Sequence, residues 1–351
     1  MQVGIFIPPE DHPDHDPDLQ EYLEQLVTTC CAVQSKVQFV HFQIGDSAAP
    51  ISGCKQILLN PKGMGGILRR DSFGLNRALK ETPVEVLVAP LAPQLSVNTP
   101  LFLCALDLAA WEQAPNDDPA PLRPQNVKRW KQYCLQARRI LAPTKYVQRR
   151  FLDFFECPMD KLLISPVGLS ETPEDTAPPL AETPYIVVYA STRTRSLMHR
   201  VRSALEVITE KYPHQVIVLG PGYPDEPHHW GANTLRLEHC PADLRASLCR
   251  HGDIFIYAGL HDGSAMRLLE AIRAGIPVVA AKSGALEEVV GDLPVYFNPG
   301  STNAIIRALQ RVLDEPEAQQ EKLDAKAAKV LGQHNWETCA WKFLGALKQL
   351  S

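Results

Sequence analysis

No run in the 351 residues approaches the ~18–20 apolar positions that a membrane-spanning helix requires. The N-terminus has no basic segment with a cleavage site behind it. Met1-Gln2-Val3-Gly4-Ile5-Phe6-Ile7 goes straight into a strand pattern, so a secretory signal is not expected. None of the nine cysteines forms a C-x-x-C pair (Cys30, Cys31, Cys54, Cys104, Cys134, Cys157, Cys240, Cys249, Cys339), which argues against a zinc site or a disulfide framework and fits a reducing cytoplasm. No G-x-G-x-x-G follows the first strand, so a dehydrogenase-type dinucleotide site is not expected. Repeats of solenoid period are absent, and so is any motif for nucleic acid, which is therefore not an expected partner. What is present is 45% apolar and 21% charged residues at a net charge of −5, the composition of a soluble globular chain long enough for two full cores.

The stretch from Asp253 to Val290 is the most informative. Ile254 to Ala258 is a short apolar run between Gly252 and Gly259, as expected of a buried strand. Ala265, Leu268, Leu269 and Ile272 follow at helical spacing, with Ser264 as the expected N-cap and Gly275 and Pro277 as stop signals. Pro277 to Ala281 is a second buried strand, which makes a β-α-β unit with a right-handed crossover. The loop His261-Asp262-Gly263-Ser264 falls at the carboxyl end of the first strand, where helix N-termini offer N–H groups to anions. Glu270 lies two turns into the helix, eight residues after Asp262. This spacing of carboxylates suits a sugar ring and a ribose bound around a diphosphate.

These residues resemble the nucleotide-sugar motif of the retaining family-4 glycosyltransferases, which have the GT-B fold. That motif runs Glu-Gly-Phe-Gly, then Leu-Glu-Ala, a Gly-x-Pro-Val-Val strand and a Glu-Val-Val turn. Here Asp262 takes the first glutamate position and Gly263 is kept, while Ser264 and Ala265 replace Phe-Gly. Leu269-Glu270-Ala271, Gly275, Pro277-Val278-Val279 and Glu288-Val289-Val290 match as they stand.

Earlier in the chain, strands are expected at 3–7, Val37–Phe42, Ile57–Leu59, Val84–Ala89 and Leu101–Leu108, with helices near 18–33 and 72–80. The loop from Pro8 to Asp18 is acidic and carries His12 and His15. Its residue types can hold a divalent metal, but Pro and Asp at this density also describe a solvated turn that faces an acceptor or water. Asn126 is expected to cap a helix with Val127, Trp130, Cys134 and Leu135 inward. From Arg123 to Arg150 there are nine Lys and Arg and no Asp or Glu. The residues Lys128, Arg129, Lys131, Arg138 and Arg139 either face an anionic membrane or lipid-linked acceptor, or form a solvated helical face. Ser170 to Pro184 is proline-rich and aperiodic, like a linker. A second α/β unit begins at Tyr185, and Asn335 to Leu350 reads as a capped amphipathic helix.

The resemblance implies two Rossmann-like domains facing across a cleft. These are an N-terminal acceptor domain (1–169), a linker (170–184), a donor domain (185–334) and a terminal helix (335–351) crossing back onto the first domain. It implies transfer of a sugar from a nucleoside diphosphate sugar to an acceptor hydroxyl with retention, without metal or other cofactor. The donor β-phosphate is thought to help deprotonate the acceptor. Asp107 and Asp262 take the catalytic positions, with Asp262 on sugar hydroxyls, and Glu270 takes the ribose. Backbone N–H groups of Gly263, Ser264 and Ala265 face sugar or phosphate, Glu288 lies in the matching turn, and Arg193 or Arg195 offsets the diphosphate. The chain departs from the pattern at Leu106, where the family commonly has His, at Ser191, where it has Arg, near Ser196, where it has Lys, and at Asp262. These departures leave a second expectation open: a GT-B chain without turnover that binds nucleotide sugar or serves a partner. The expected location is the cytoplasm, with peripheral contact at the membrane face.

Overall fold

The computed structural model describes residues 1–8, 16–34, 36–44, 50–59, 67–91, 95, 97–108, 111, 127–170, 184–190, 197–220 and 233–350. The chain divides into two compact units. One comprises Met1–Leu106, Pro124–Gly168 and Asn335–Ser351; the other comprises Asp107–Arg123 and Leu169–His334.

The first unit is built on seven parallel strands: β1 (Gln2–Phe6), β2 (Gln38–Ile44), β3 (Lys55–Leu59), β4 (Val86–Pro90), β5 (Leu101–Cys104), β6 (Arg139–Ala142) and β7 (Leu162–Ile164). They lie in the order β3-β2-β1-β4-β5-β6-β7. All five residues of β4, Val-Leu-Val-Ala-Pro, are buried. A parallel strand covered on both faces must be apolar throughout, because neither side meets water. Helices α1 (Pro17–Val33), α2 (Ile67–Glu81), α3 (Val127–Gln136) and α4 (Lys145–Phe155) connect the strands. Asp16 caps α1 by accepting from the N–H groups of Asp18 and Leu19 at 3.1 and 3.2 Å, and Pro17 fixes the first turn. β5 ends at Cys104, short of the Leu108 expected, so Asp107 stands beyond the strand rather than at its tip. In α3, Tyr133 and Cys134 are buried, but Leu135 is 38% exposed and does not face inward. The acidic loop of residues 9–15, with His12 and His15, lies outside the described residues.

The second unit carries β8 (Tyr185–Tyr189), β9 (Gln215–Leu219), β10 (Thr234–Leu237), β11 (Ile254–Tyr257), β12 (Val278–Ala281) and β13 (Val295–Phe297), all parallel in the order β10-β9-β8-β11-β12-β13. The chain winds outward from β8 to β10, then returns to place β11 on the other side of β8. The carboxyl ends of β8 and β11 therefore flank a topological switch point, where open α/β sheets bind ligands. Helices α5 (Met198–Lys211), α6 (Ala242–His251), α7 (Met266–Ala274), α8 (Leu286–Val290), α9 (Thr302–Asp314) and α10 (Pro316–Leu331) complete the unit. α9 shows why they form. Ser301 accepts from the Ala304 N–H, and Ile305, Leu309 and Val312 recur at helical spacing into the core. Each such side chain contributes roughly 1.5–3 kcal/mol on burial.

The last helix, α11 (Trp336–Lys348), is grouped with the first unit, where it packs on α1. Tyr22 meets Trp336 at 5.5 Å between ring centroids, and Phe102 meets Phe343 at 5.0 Å. A Cβ on Gly168 would strike the Trp336 indole, so glycine is required at this approach. Among the described residues no helix is long and apolar enough to cross a membrane.

Candidate functional site

At the switch point β11 leaves the sheet at Tyr257, and the chain turns through Ala258–Ala265 before α7 begins at Met266. The Leu197 N–H donates to the Ala258 carbonyl at 3.3 Å, which ties the start of α5 to this loop. Asp262 organises the turn. Its Oδ1 accepts from the Ser264 N–H at 2.8 Å and the Ser264 hydroxyl at 3.2 Å. Its Oδ2 accepts from the Tyr257 hydroxyl at 2.6 Å and the Ala265 N–H at 3.1 Å. A carboxylate offers about four acceptor positions, and these four bonds engage both oxygens of a side chain only 3% exposed.

The geometry bears on three expectations. The Asp262 carboxylate, expected on sugar hydroxyls, accepts four bonds within its own loop. Ser264 is not the N-cap; that residue is Ala265, in the left-handed region at φ 54° and without a side-chain capping bond, while the Ser264 hydroxyl accepts from the Met266 N–H at 3.4 Å. The Ser264 and Ala265 N–H groups, expected to face sugar or phosphate, donate to the Asp262 carboxylate. The chain's own carboxylate stands where an anion at a helix N-terminus would sit. Gly263 is buried in the same turn.

The loop is strained and overdetermined. His261 also has positive φ, at 61°. Left-handed backbone at two non-glycine residues costs about 1–2 kcal/mol each. Opposing contacts hold it: the Ser283 hydroxyl accepts from the His261 N–H at 3.2 Å, and the Ala285 N–H donates to the Asp262 carbonyl at 2.8 Å. Gly284, at φ 65°, lies so close that a Cβ there would fall 2.8 Å from the Asp262 nitrogen.

Glu270 sits one turn further along α7 and is 19% exposed. It meets two arginines. Arg245, in the first turn of α6, brackets it with Nε on Oε2 at 2.8 Å and Nη2 on Oε1 at 3.3 Å. Arg267 adds Nη1 on Oε1 at 2.7 Å and is itself only 5% exposed. Arg245 also donates through Nη1 to the Cys240 carbonyl at 3.0 Å. Arg273 lies near enough for Glu270 to support its charge, while burial pulls its guanidinium below the usual range. Burial pushes the Cys240 and Cys249 thiols up, so neither is a ready nucleophile.

Asp107 is half-buried past β5, behind Leu106, which is 3% exposed. Arg193 and Arg195 lie outside the described residues, as do Ser191 and Ser196. Glu288 is exposed in α8. The basic segment is less uniform than its composition indicates. Lys128 and Arg138 are exposed, and the Arg129 side chain lies outside the described set. Lys131 pairs with Glu156 at 2.5 Å, and Arg139 donates to the Asp160 carbonyl and, at 2.8 Å, to Gln349 Oε1. Lys131 and Arg139 are thus bonded within the first unit, to acids and carbonyls that follow the basic stretch in sequence. Among the described residues no three His, Cys, Asp or Glu side chains gather to hold a metal.

Arg245, Arg267 and Tyr257 were not anticipated. Arg267 precedes Glu270 by three residues on one helix, a spacing that signals pairing. Tyr257 and Arg245 carry no such signal: the Tyr257 hydroxyl reaches Asp262 through the turn that follows β11, and the packing of α6 on α7 brings Arg245 in.

Residues 193–345 match the family model described as glycosyl transferase-like. Over 96 residues, 27% of the chain, the sequence is 30% identical to the O-antigen chain mannosyltransferase B of Escherichia coli, and the match spans 25% of that protein's length. Among solved structures, sucrose-phosphate synthase from Thermosynechococcus elongatus superposes with a TM-score of 0.78 at 15% identity, covering 100% of this chain and 99% of the other. WaaG, a glycosyltransferase involved in lipopolysaccharide biosynthesis, superposes at 0.71 and 15% identity over 99% and 98%.

Proposed function

We propose that this chain is a GT-B glycosyltransferase that moves a sugar from a nucleoside diphosphate sugar to an acceptor hydroxyl with retention of configuration, a reading supported by its fold and by the glycosyl transferase-like match over residues 193–345. The observation that carries the reading is the position of Glu270. It is an ionisable group oriented by two guanidinium groups, in the second turn of the helix that follows the switch-point loop. Glu270 takes the ribose hydroxyls of the donor. Arg193 and Arg195 offset the diphosphate, whose departure with the electron pair of the anomeric bond is the step that positive charge assists. Asp107 is the acid for the transfer side, and Glu288 closes the donor region. The β-phosphate helps to take the proton from the acceptor, and no metal is called for. The match to a mannosyltransferase makes mannose the first sugar to test. Calorimetry with UDP- and GDP-sugars is the experiment: the reading expects binding of at least one, and binding of none would sink it.

A second reading is favoured by two observations. Leu106 puts a buried apolar side chain where the resembled family commonly has a histidine, and Asp262 is consumed in the loop. Both point to a chain that binds nucleotide sugar without turnover. Binding without transfer or hydrolysis across an acceptor panel would select it. A peripheral membrane contact is proposed at Lys128 and Arg138, both exposed. Its mark is co-sedimentation with anionic vesicles that weakens when both charges are neutralised.

A further inference from the structure

A glutamate's terminal torsion is broad, so a carboxylate that must meet a ligand hydroxyl loses orientational freedom on binding unless the fold has already fixed its plane. The plane of Glu270 is fixed from two sides. Arg245 spans both oxygens through Nε and Nη2, and its remaining arm is anchored on the Cys240 carbonyl just before α6. Arg267 holds Oε1 from α7 itself. The carboxylate is thus tied to two helices and to the backbone after β10. All three side chains are largely removed from water, at 13%, 5% and 19% exposure. Bidentate arginine is the cation suited to this task, because its planar fork sets an angle as well as a distance.

We infer that Arg245 and Arg267 are positioning residues that preset Glu270 as an acceptor for a ribose hydroxyl, making the site selective for ribonucleotides. The inference rests on the proposed donor reading, since it needs a nucleotide at Glu270. Arg245 lies 25 residues before Glu270 and on a different helix, so its part in selection comes from the packing of α6 on α7.

The test is titration calorimetry of the full chain with GDP and UDP and with their 2′,3′-dideoxy forms. The wild type should prefer the ribonucleotide by about tenfold, the value of one hydrogen bond to a charged group at the low end of its range. Arg245→Ala and Arg267→Met should each cut that preference to roughly threefold or less, while affinity for the dideoxy form moves by less than about twofold. A merely structural role would lower both affinities together. Arg245→Lys keeps the charge but cannot span both oxygens, so partial loss of preference is expected; it also serves if the alanine variant fails to fold. Full wild-type preference in every arginine variant overturns the inference while leaving the donor reading intact. Preference that survives Glu270→Ala places the ribose elsewhere and overturns it too. No nucleotide binding by the folded wild type overturns the donor reading itself and the inference with it.

Discussion

Asp262 and Glu270 are eight residues apart, both acidic and both close to the same helix, yet the fold employs them in opposite ways. Asp262 is turned inward on Tyr257, Ser264 and Ala265, with its charge set against the N-terminus of α7. Glu270 is turned toward guanidinium groups on two helices and keeps part of its surface in water. One carboxylate builds a turn within its own loop, and the other joins two helices while keeping part of its surface in water. The lesson is that accessibility, rather than a place in a motif, sets what a carboxylate can meet: Asp262 is 3% exposed and Glu270 19%.

The contrast is broken most directly at Asp262. Asp262→Ala strips four hydrogen bonds from a buried loop that also holds two strained residues, so a loss of about 3–5 kcal/mol is expected. Urea denaturation followed by tryptophan fluorescence would measure it. A stable variant with lost nucleotide affinity would reverse the assignment. Acid blurs the comparison from the first unit. His41 is 2% exposed, and burial lowers its pKa to about 4 from 6.5. The unfolded chain therefore binds the extra proton between those values. Stability from this group is complete above about pH 6.5 and falls as pH drops toward 4, by on the order of 3 kcal/mol. The midpoint of urea unfolding should fall over that window, and the fall should shrink in His41→Gln.

Glu270→Gln should show the complementary pattern. The amide keeps the shape but discards the charge between Arg245 and Arg267, so nucleotide affinity is expected to drop about tenfold with a smaller stability loss than at Asp262. Calorimetry beside denaturation separates the two effects. The smallest change sharpens the comparison further. Tyr257→Phe removes the hydroxyl that bonds Asp262 Oδ2 at 2.6 Å, and about 1–2 kcal/mol of stability should go with it. Nucleotide affinity through Glu270 should hold.

Much of the fold was legible locally. The β11-α7-β12 unit followed from an apolar run, a helical stripe and Gly275 with Pro277. Gly275 does take φ 86° at the helix end, as an αL cap requires. The cap at Asn335 was legible for the same reason: it depends on residues within one turn. The reading of β5 ran too long, because Ala105 and Leu106 are as apolar as the strand and the boundary lies in hydrogen bonding, not composition.

The sequence by itself determined the α/β alternation, the parallel pairing it demands and the helix that carries Glu270. Hydrophobic period and punctuation act over a few residues, and propensity reads them directly. Tertiary structure alone decided the rest. It placed β11 beside β8 to make the switch point, turned the Asp262 carboxylate into its own loop, and brought Arg245 from α6 onto Glu270. Those outcomes depend on which polar groups become neighbours once the cores close. A buried carboxylate takes the donors it finds there, since an unmatched charge out of water costs more than any local preference can offset.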